Sequence, residues 1–254
     1  MKTAQLGELD GPVLVFGAPA SNLQALIALL GEASRRGVTR LTMICTGGLA
    51  GPCGDPGAVT TMLRVLGGPV LAGETERRLA AGPRHGGALA ERDWFRLADD
   101  RIPAGDRRWL AGLPDAAVFT RRGRRFAAIS GGGVALPDEE APDEAFRAAL
   151  AALQASAGPC DTVLAASQAQ AFRRLVGGVE WIGTGACGLP AGDGRMQTRF
   201  VMLNHGIARL HRLAYDVEGA RRKMRELGLD PRWQAALSGG PSPAAELLPG
   251  PRAA

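Results

Sequence analysis

The sequence predicts an α/β (α+β) chain with two packed sheets and helices outside them. Three observations carry that expectation. Two successive β-α-β patterns fill residues 12–71, six further strand-like runs follow between 117 and 213, and capped helical stripes separate them. No internal repeat stands out.

Pro12–Phe16 is a short apolar run closed by Gly17, the pattern of a buried strand. Leu23, Leu26, Ile27, Leu29 and Leu30 then recur at helical spacing, with Ser21 or Asn22 as N-cap and Gly37 as terminator. Leu41–Cys45 reads as a second strand, followed by a glycine-rich loop from Gly47 to Gly54. Asp55-Pro56 opens a helix with proline at its first position, and Gly67-Gly68 closes it. Val70-Leu71 is a third short strand, and Glu74–Ala81 a helix. Consecutive β-α-β units imply parallel strands, whose carboxyl ends hold the ligand in such sheets. Those ends are the loops Gly17–Asn22, Gly47–Asp55 and Gly73–Arg77.

Gly82–Pro114 is glycine- and arginine-rich, with a weak helical pattern around Trp94 and Trp109. Ala117–Thr120 and Phe126–Ser130 flank an arginine-rich hairpin turn at Arg121–Arg125. An alanine-rich helix over Glu144–Ala157 precedes strands at Thr162–Ala166, Val176–Ile182, Arg199–Leu203 and Ile207–Leu213. Asn204-His205-Gly206 has the composition of a tight hairpin turn. Val217–Leu227 is a final helix. One domain is expected over residues 1–237, with a disordered Pro/Gly/Ala-rich tail at 238–254.

Composition narrows the function classes. No apolar run approaches the roughly 20 residues that cross a bilayer, and Met1–Asp10 lacks an apolar signal core, so a cytoplasmic, non-membrane protein is expected. Cys45, Cys53, Cys160 and Cys187 form no C-x-x-C pair, which disfavours a zinc ribbon; they read as free thiols, two of them in strands. The net charge of +5 invites a nucleic-acid partner. Lysine occurs only at positions 2 and 223, however, and the arginines are scattered pairs apart from the 121–125 turn, where aromatic stacking partners are sparse. Nucleic acid is therefore the weakest of the readings.

Several segments resemble, in order, the compact bacterial phosphoesterases of the calcineurin-like superfamily. Gly17-x-x-x-x-Asn22-Leu23-x-Ala25-Leu26 is similar to their G-D-x-H-G-N-x-x-A-L, and Gly47–Pro56 to their G-D-x-x-G-x-x-x-D-P. Ala72-Gly73 stands where they carry G-N-H-[DE]. Gly185-x-x-Gly188-Leu189-Pro190 resembles their P-G-S-x-G-x-P, and Tyr215-Asp216-Val217-Glu218 their Y-D-x-E. The resemblance covers about residues 12–236 and implies a four-layer αββα sandwich of two packed mixed β-sheets flanked by helices.

That family uses two divalent ions such as Mn, Fe or Zn to clamp a phosphate and activate water, which takes converging carboxylates and imidazoles. The ligand positions here are Ala18 and Ala20 for D-x-H, and Gly48 for the bridging aspartate. Glu74 and Thr75 replace the asparagine and histidine of G-N-H, Ser130 the strand-end histidine, and Ser167 and Ala169 belong to the former G-H-x-H. No cofactor is expected from such a set. His85, His205 and His211 lie far in sequence from these loops, and Glu74 and Glu76 read as first-turn helix glutamates. Cys45, Cys53 and Cys187 offer a conceivable thiolate site near the old centre.

The leading expectation is a pseudoenzyme that binds a protein partner or a phosphate-bearing small molecule, with Asn22 and Arg77 as possible anion contacts. Its alternative is a phosphoesterase with a rebuilt site using Ser21, Ser130, Ser167 or a cysteine, although no G-x-S-x-G or placed histidine supports one. An oligomer is left open.

Overall fold

The computed structural model describes residues 1–82, 92–166 and 170–243. His85, Ser167, Ala169 and the tail from 244 onward lie outside the described residues.

Two mixed sheets form the centre. The larger has the order β1 (Thr3–Glu8), β4 (Ala116–Arg121), β5 (Arg124–Ile129), β6 (Thr162–Ala165), β8 (Val179–Gly183), β7 (Arg173–Val176). The smaller runs β10 (Ile207–Leu213), β9 (Thr198–Asn204), β2 (Val13–Phe16), β3 (Met43–Cys45), and Val70 extends it by a parallel bridge to Cys45. Alternation along the strands builds the layers. Val13 and Val15 of β2 meet Phe119, Phe126, Leu164 and Ile182 of the larger sheet in one shared core. Leu14 and Phe16 point the other way, onto Leu26 and Leu29 of α1 (Leu23–Arg35) and Val59 and Leu63 of α2 (Pro56–Leu66). On the opposite outer face, Phe146 and Leu153 of α6 (Asp143–Ala157) pack on Val118, Ile129 and Trp181. The expected αββα layering is thus the observed one.

Helix α3 (Glu74–Ala81) follows the Val70 bridge, and the tryptophan-centred patterns of the middle segment become α4 (Asp93–Arg101) and α5 (Ala104–Gly112). At the carboxyl end, α7 (Val217–Glu226) is followed by α8 (Pro231–Leu237).

Four details correct the sequence reading. Strand β1 went unread because it is a polar edge, with Ala4 and Leu6 as its apolar contacts to the shared core. The run Val176–Ile182 is not one strand: Gly177 (φ 59°) and Gly178 (φ 80°) make it a hairpin between β7 and β8. Only Cys45 sits in a strand; Cys53, Cys160 and Cys187 are buried outside strands. Helix α8 was missed although Asp230-Pro231 announces it: the Asp230 carboxylate accepts from Arg232 N at 2.8 Å.

The arginine turn is less solvated than its composition implies. Arg122 (φ 51°) and Gly123 (φ 74°) form the turn itself. Arg121 is buried and donates to Leu9 O at 2.7 Å, and Arg125 donates to Ala157 O at 2.7 Å. These guanidinium groups tie the hairpin to the segment after β1 and to the end of α6.

Candidate functional site

The carboxyl ends of β2, β3, β5, β6 and β8 converge on one edge of the sandwich, where the three loops named from sequence meet. Loop 17–22 and loop 47–55 are zipped together through their backbones. Ala18 N donates to Gly47 O at 2.8 Å, Ala20 N to Gly48 O at 2.9 Å and Ser21 N to Leu49 O at 2.8 Å. Cys53 N and Asp55 N return to Ala20 O and Ser21 O at 3.1 and 2.9 Å. Turn 185–190 closes the other side, with Cys187 N on Gly17 O at 2.8 Å and Gly188 N on Ala18 O at 3.0 Å.

This seam leaves no room for larger residues. A Cβ on Gly48 would stand 2.8 Å from Ala18 Cα, and one on Gly51 would stand 2.7 Å from Ala20 Cβ. On Gly188 it would come within 2.0 Å of Pro19 O. Ala18, Ala20 and Ser21 hold left-handed φ values of 41°, 52° and 62°, a conformation costing about 1–2 kcal/mol for a non-glycine residue. The backbone contacts just named over-determine it. Ala20, Cys53, Ala186 and Leu189 then join Ala220 and Met224 of α7 and Trp233 and Leu237 of α8 in a separate apolar cluster. At Ala18, Ala20 and Gly48 the seam presents methyl groups and backbone.

The side chains read from sequence scatter. Glu74 faces solvent and pairs with Arg78 at 2.5 Å, while Thr75 is half-buried. Ser130 is buried, with its Oγ 2.7 Å from where a Cβ on Gly47 would lie and 3.1 Å from one on Gly73. Asn22 is fully buried and used at both ends: its Oδ1 accepts from Ala25 N at 3.0 Å to cap α1, and its Nδ2 donates to Gly188 O at 2.8 Å. Arg77 is ion-paired with Asp115, whose carboxylate also accepts from Lys2 N at 2.7 Å. Ser21 Oγ accepts from Gly51 N at 3.0 Å. His205 occupies the β9–β10 turn, and His211 stacks on Phe200 with ring centroids 5.4 Å apart, so neither described histidine joins the seam.

One functional position escaped the sequence reading. Glu76, read there as a dipole-compensating residue, has no exposed surface. Its two oxygens accept from Leu49 N and Gly73 N, both at 2.8 Å, so one carboxylate ties loop 47–55 to the start of α3. Desolvation raises its pKa above the ordinary carboxylate value, while N–H donation from Gly73 and Leu49 pulls the other way. The signal that could have found it is position: it fills the [DE] place after the missing G-N-H.

Two divalent ions do not fit these residues. Among the described residues no group of three or more His, Cys, Asp or Glu is arranged to hold a metal ion, and the carboxylate of Glu76 already accepts from two backbone N–H groups. Burial raises the thiol pKa of Cys45, Cys53 and Cys187 well above the usual range, which disfavours the thiolate form a soft metal would need.

No family sequence model matches the chain, and no curated protein matches it in sequence. Solved structures do. The hypothetical protein PH1004 from Pyrococcus horikoshii OT3 is similar with a TM-score of 0.73 and 17% identity, over 92% of this chain and 100% of that one. A metallophosphoesterase from Sphaerobacter thermophilus is similar with a TM-score of 0.67 and 17% identity, over 90% and 99%. At that identity the likeness is one of fold alone: the chain shares the fold of these two proteins.

Proposed function

We propose that this chain keeps the phosphoesterase scaffold but has given up two-metal hydrolysis, and works in the cytoplasm by binding a protein partner or a phosphate-bearing ligand. The observation that carries this is the seam. Two-metal chemistry needs several oxygen and nitrogen donors aimed at one point. The corresponding positions Ala18, Ala20 and Gly48 instead make backbone-to-backbone contacts that a side chain at Gly48 would break. Losing one donor would tune a centre; packing residues at Ala18, Ala20 and Gly48 together commit this part of the edge to stability.

A direct test is metal analysis of the chain purified in excess manganese, with an aryl phosphodiester assay on the same sample. Substoichiometric metal and no turnover are expected. Two equivalents of bound metal together with turnover would sink the proposal.

A further inference from the structure

A cleft of about 380 Å³ lies at the same edge of the smaller sheet, beside the seam but separate from it. Arg195, Met196, Gln197, Tyr215, Val217 and Ser238 line it. Its volume falls in the range of small-molecule sites, about 300–1,000 Å³. One wall is apolar: Val217, the Tyr215 ring and Met196, which is 52% exposed. Gln197 and Ser238 add hydrogen-bonding groups.

The charge beside this cleft is unbalanced. Arg199 of β9 and Arg212 of β10 are direct cross-strand partners, an arrangement in which like charges destabilise a sheet. Arg195 lines the cleft, and Arg212 stands two positions before Ala214, which also lines it; desolvation, then the like charges of Arg199 and Arg195, lower the pKa of Arg212, with Asp193 opposing. Asp193 is engaged by Arg199 at 2.7 Å. Among the described residues neither Arg195 nor Arg212 has a carboxylate within ion-pair distance. Some arginines elsewhere are ion-paired, as in the Arg107–Asp99 and Arg174–Asp143 pairs at 2.8 and 2.7 Å. A like-charge pair kept beside an open, half-apolar cleft is an arrangement that an incoming anion relieves.

We propose that this cleft binds a small organic phosphate, with the anionic head between Arg195 and Arg212 and the apolar body against Met196 and Tyr215. The site takes its ligand class from the binding function proposed above, but its residues are independent of the old metal positions. The guanidinium forks recognise the phosphate, and the apolar wall distinguishes an organic phosphate from the inorganic ion.

The test is calorimetric titration of the full chain with adenosine monophosphate and, separately, with inorganic phosphate. The expected result is one saturable site for the nucleotide, at least tenfold tighter than for inorganic phosphate. Arg195→Ala and Arg212→Ala should each weaken nucleotide binding tenfold or more, while Arg147→Ala, on the far face, leaves it unchanged. Thermal melting of each variant checks that it is folded. No saturable nucleotide binding, equal affinity for both probes, or full affinity in the folded Arg195→Ala variant would each overturn the proposal. Turnover of an aryl phosphodiester would instead overturn the non-hydrolytic reading and leave this binding result standing.

Discussion

The seam and the cleft share one edge of the smaller sheet and differ in how their polar groups are used. In the seam, loop amides and carbonyls pair with one another, Asn22 and Glu76 each bridge two elements, and small residues let the backbones touch. In the cleft, Arg195 and Arg212 lack carboxylate partners among the described residues, and Met196 is exposed. The contrast separates stability from recognition. Groups satisfied inside the chain contribute to folding, and groups left unsatisfied at an open surface are free for a ligand.

Substitutions can sharpen that contrast. The largest effect is expected from Gly48→Asp, which supplies the bridging aspartate that the sequence resemblance implies at this position. Its Cβ would collide with Ala18, its φ of 72° is strained for aspartate, and its charge would enter beside Glu76. A loss of about 4 kcal/mol in denaturant unfolding is expected, with no gain of stoichiometric metal. A stable, metal-loaded variant would show that the seam opens easily.

Glu76→Ala comes next. It strands the N–H groups of Leu49 and Gly73 in a buried setting, at about 3 kcal/mol by the same measurement. Glu76→Gln tests the charge alone. A carboxyl whose folded pKa is raised contributes stability that is full below its unfolded value near 4.5 and is lost as pH rises through the folded pKa. The difference in unfolding free energy between wild type and Glu76→Gln should therefore shift against wild type as pH rises from below that value. A difference that is flat with pH would mean Glu76 keeps the same protonation in both states.

Asn22→Ala removes the α1 cap and the donor to Gly188 O, for about 2 kcal/mol. Arg195→Ala closes the series: an exposed arginine with no ion pair should change unfolding by less than about 0.5 kcal/mol while nucleotide binding falls. If Arg195→Ala destabilised the chain as much as Asn22→Ala, the division between the two regions would fail.

Much of the fold was legible because its elements carry local signals. The β2 run, the α1 stripe with its Asn22 cap, and the Asp55-Pro56 start of α2 each read correctly from a few residues. The failures have local causes too. β1 is polar because it pairs with a neighbour on one side only, and the β7–β8 hairpin hides in an apolar run whose two glycines are the turn.

The sequence by itself determined the α/β layering, because hydrophobic period belongs to the residues themselves. Tertiary structure decided how the loops at the strand ends are held. Glu76 became a buried clamp and not a surface charge because loop 47–55 folds back onto it from 27 positions away. Arg199 and Arg212 became neighbours because the β9–β10 register places them opposite one another. Burial and convergence are properties of distance in space, which residue order does not specify.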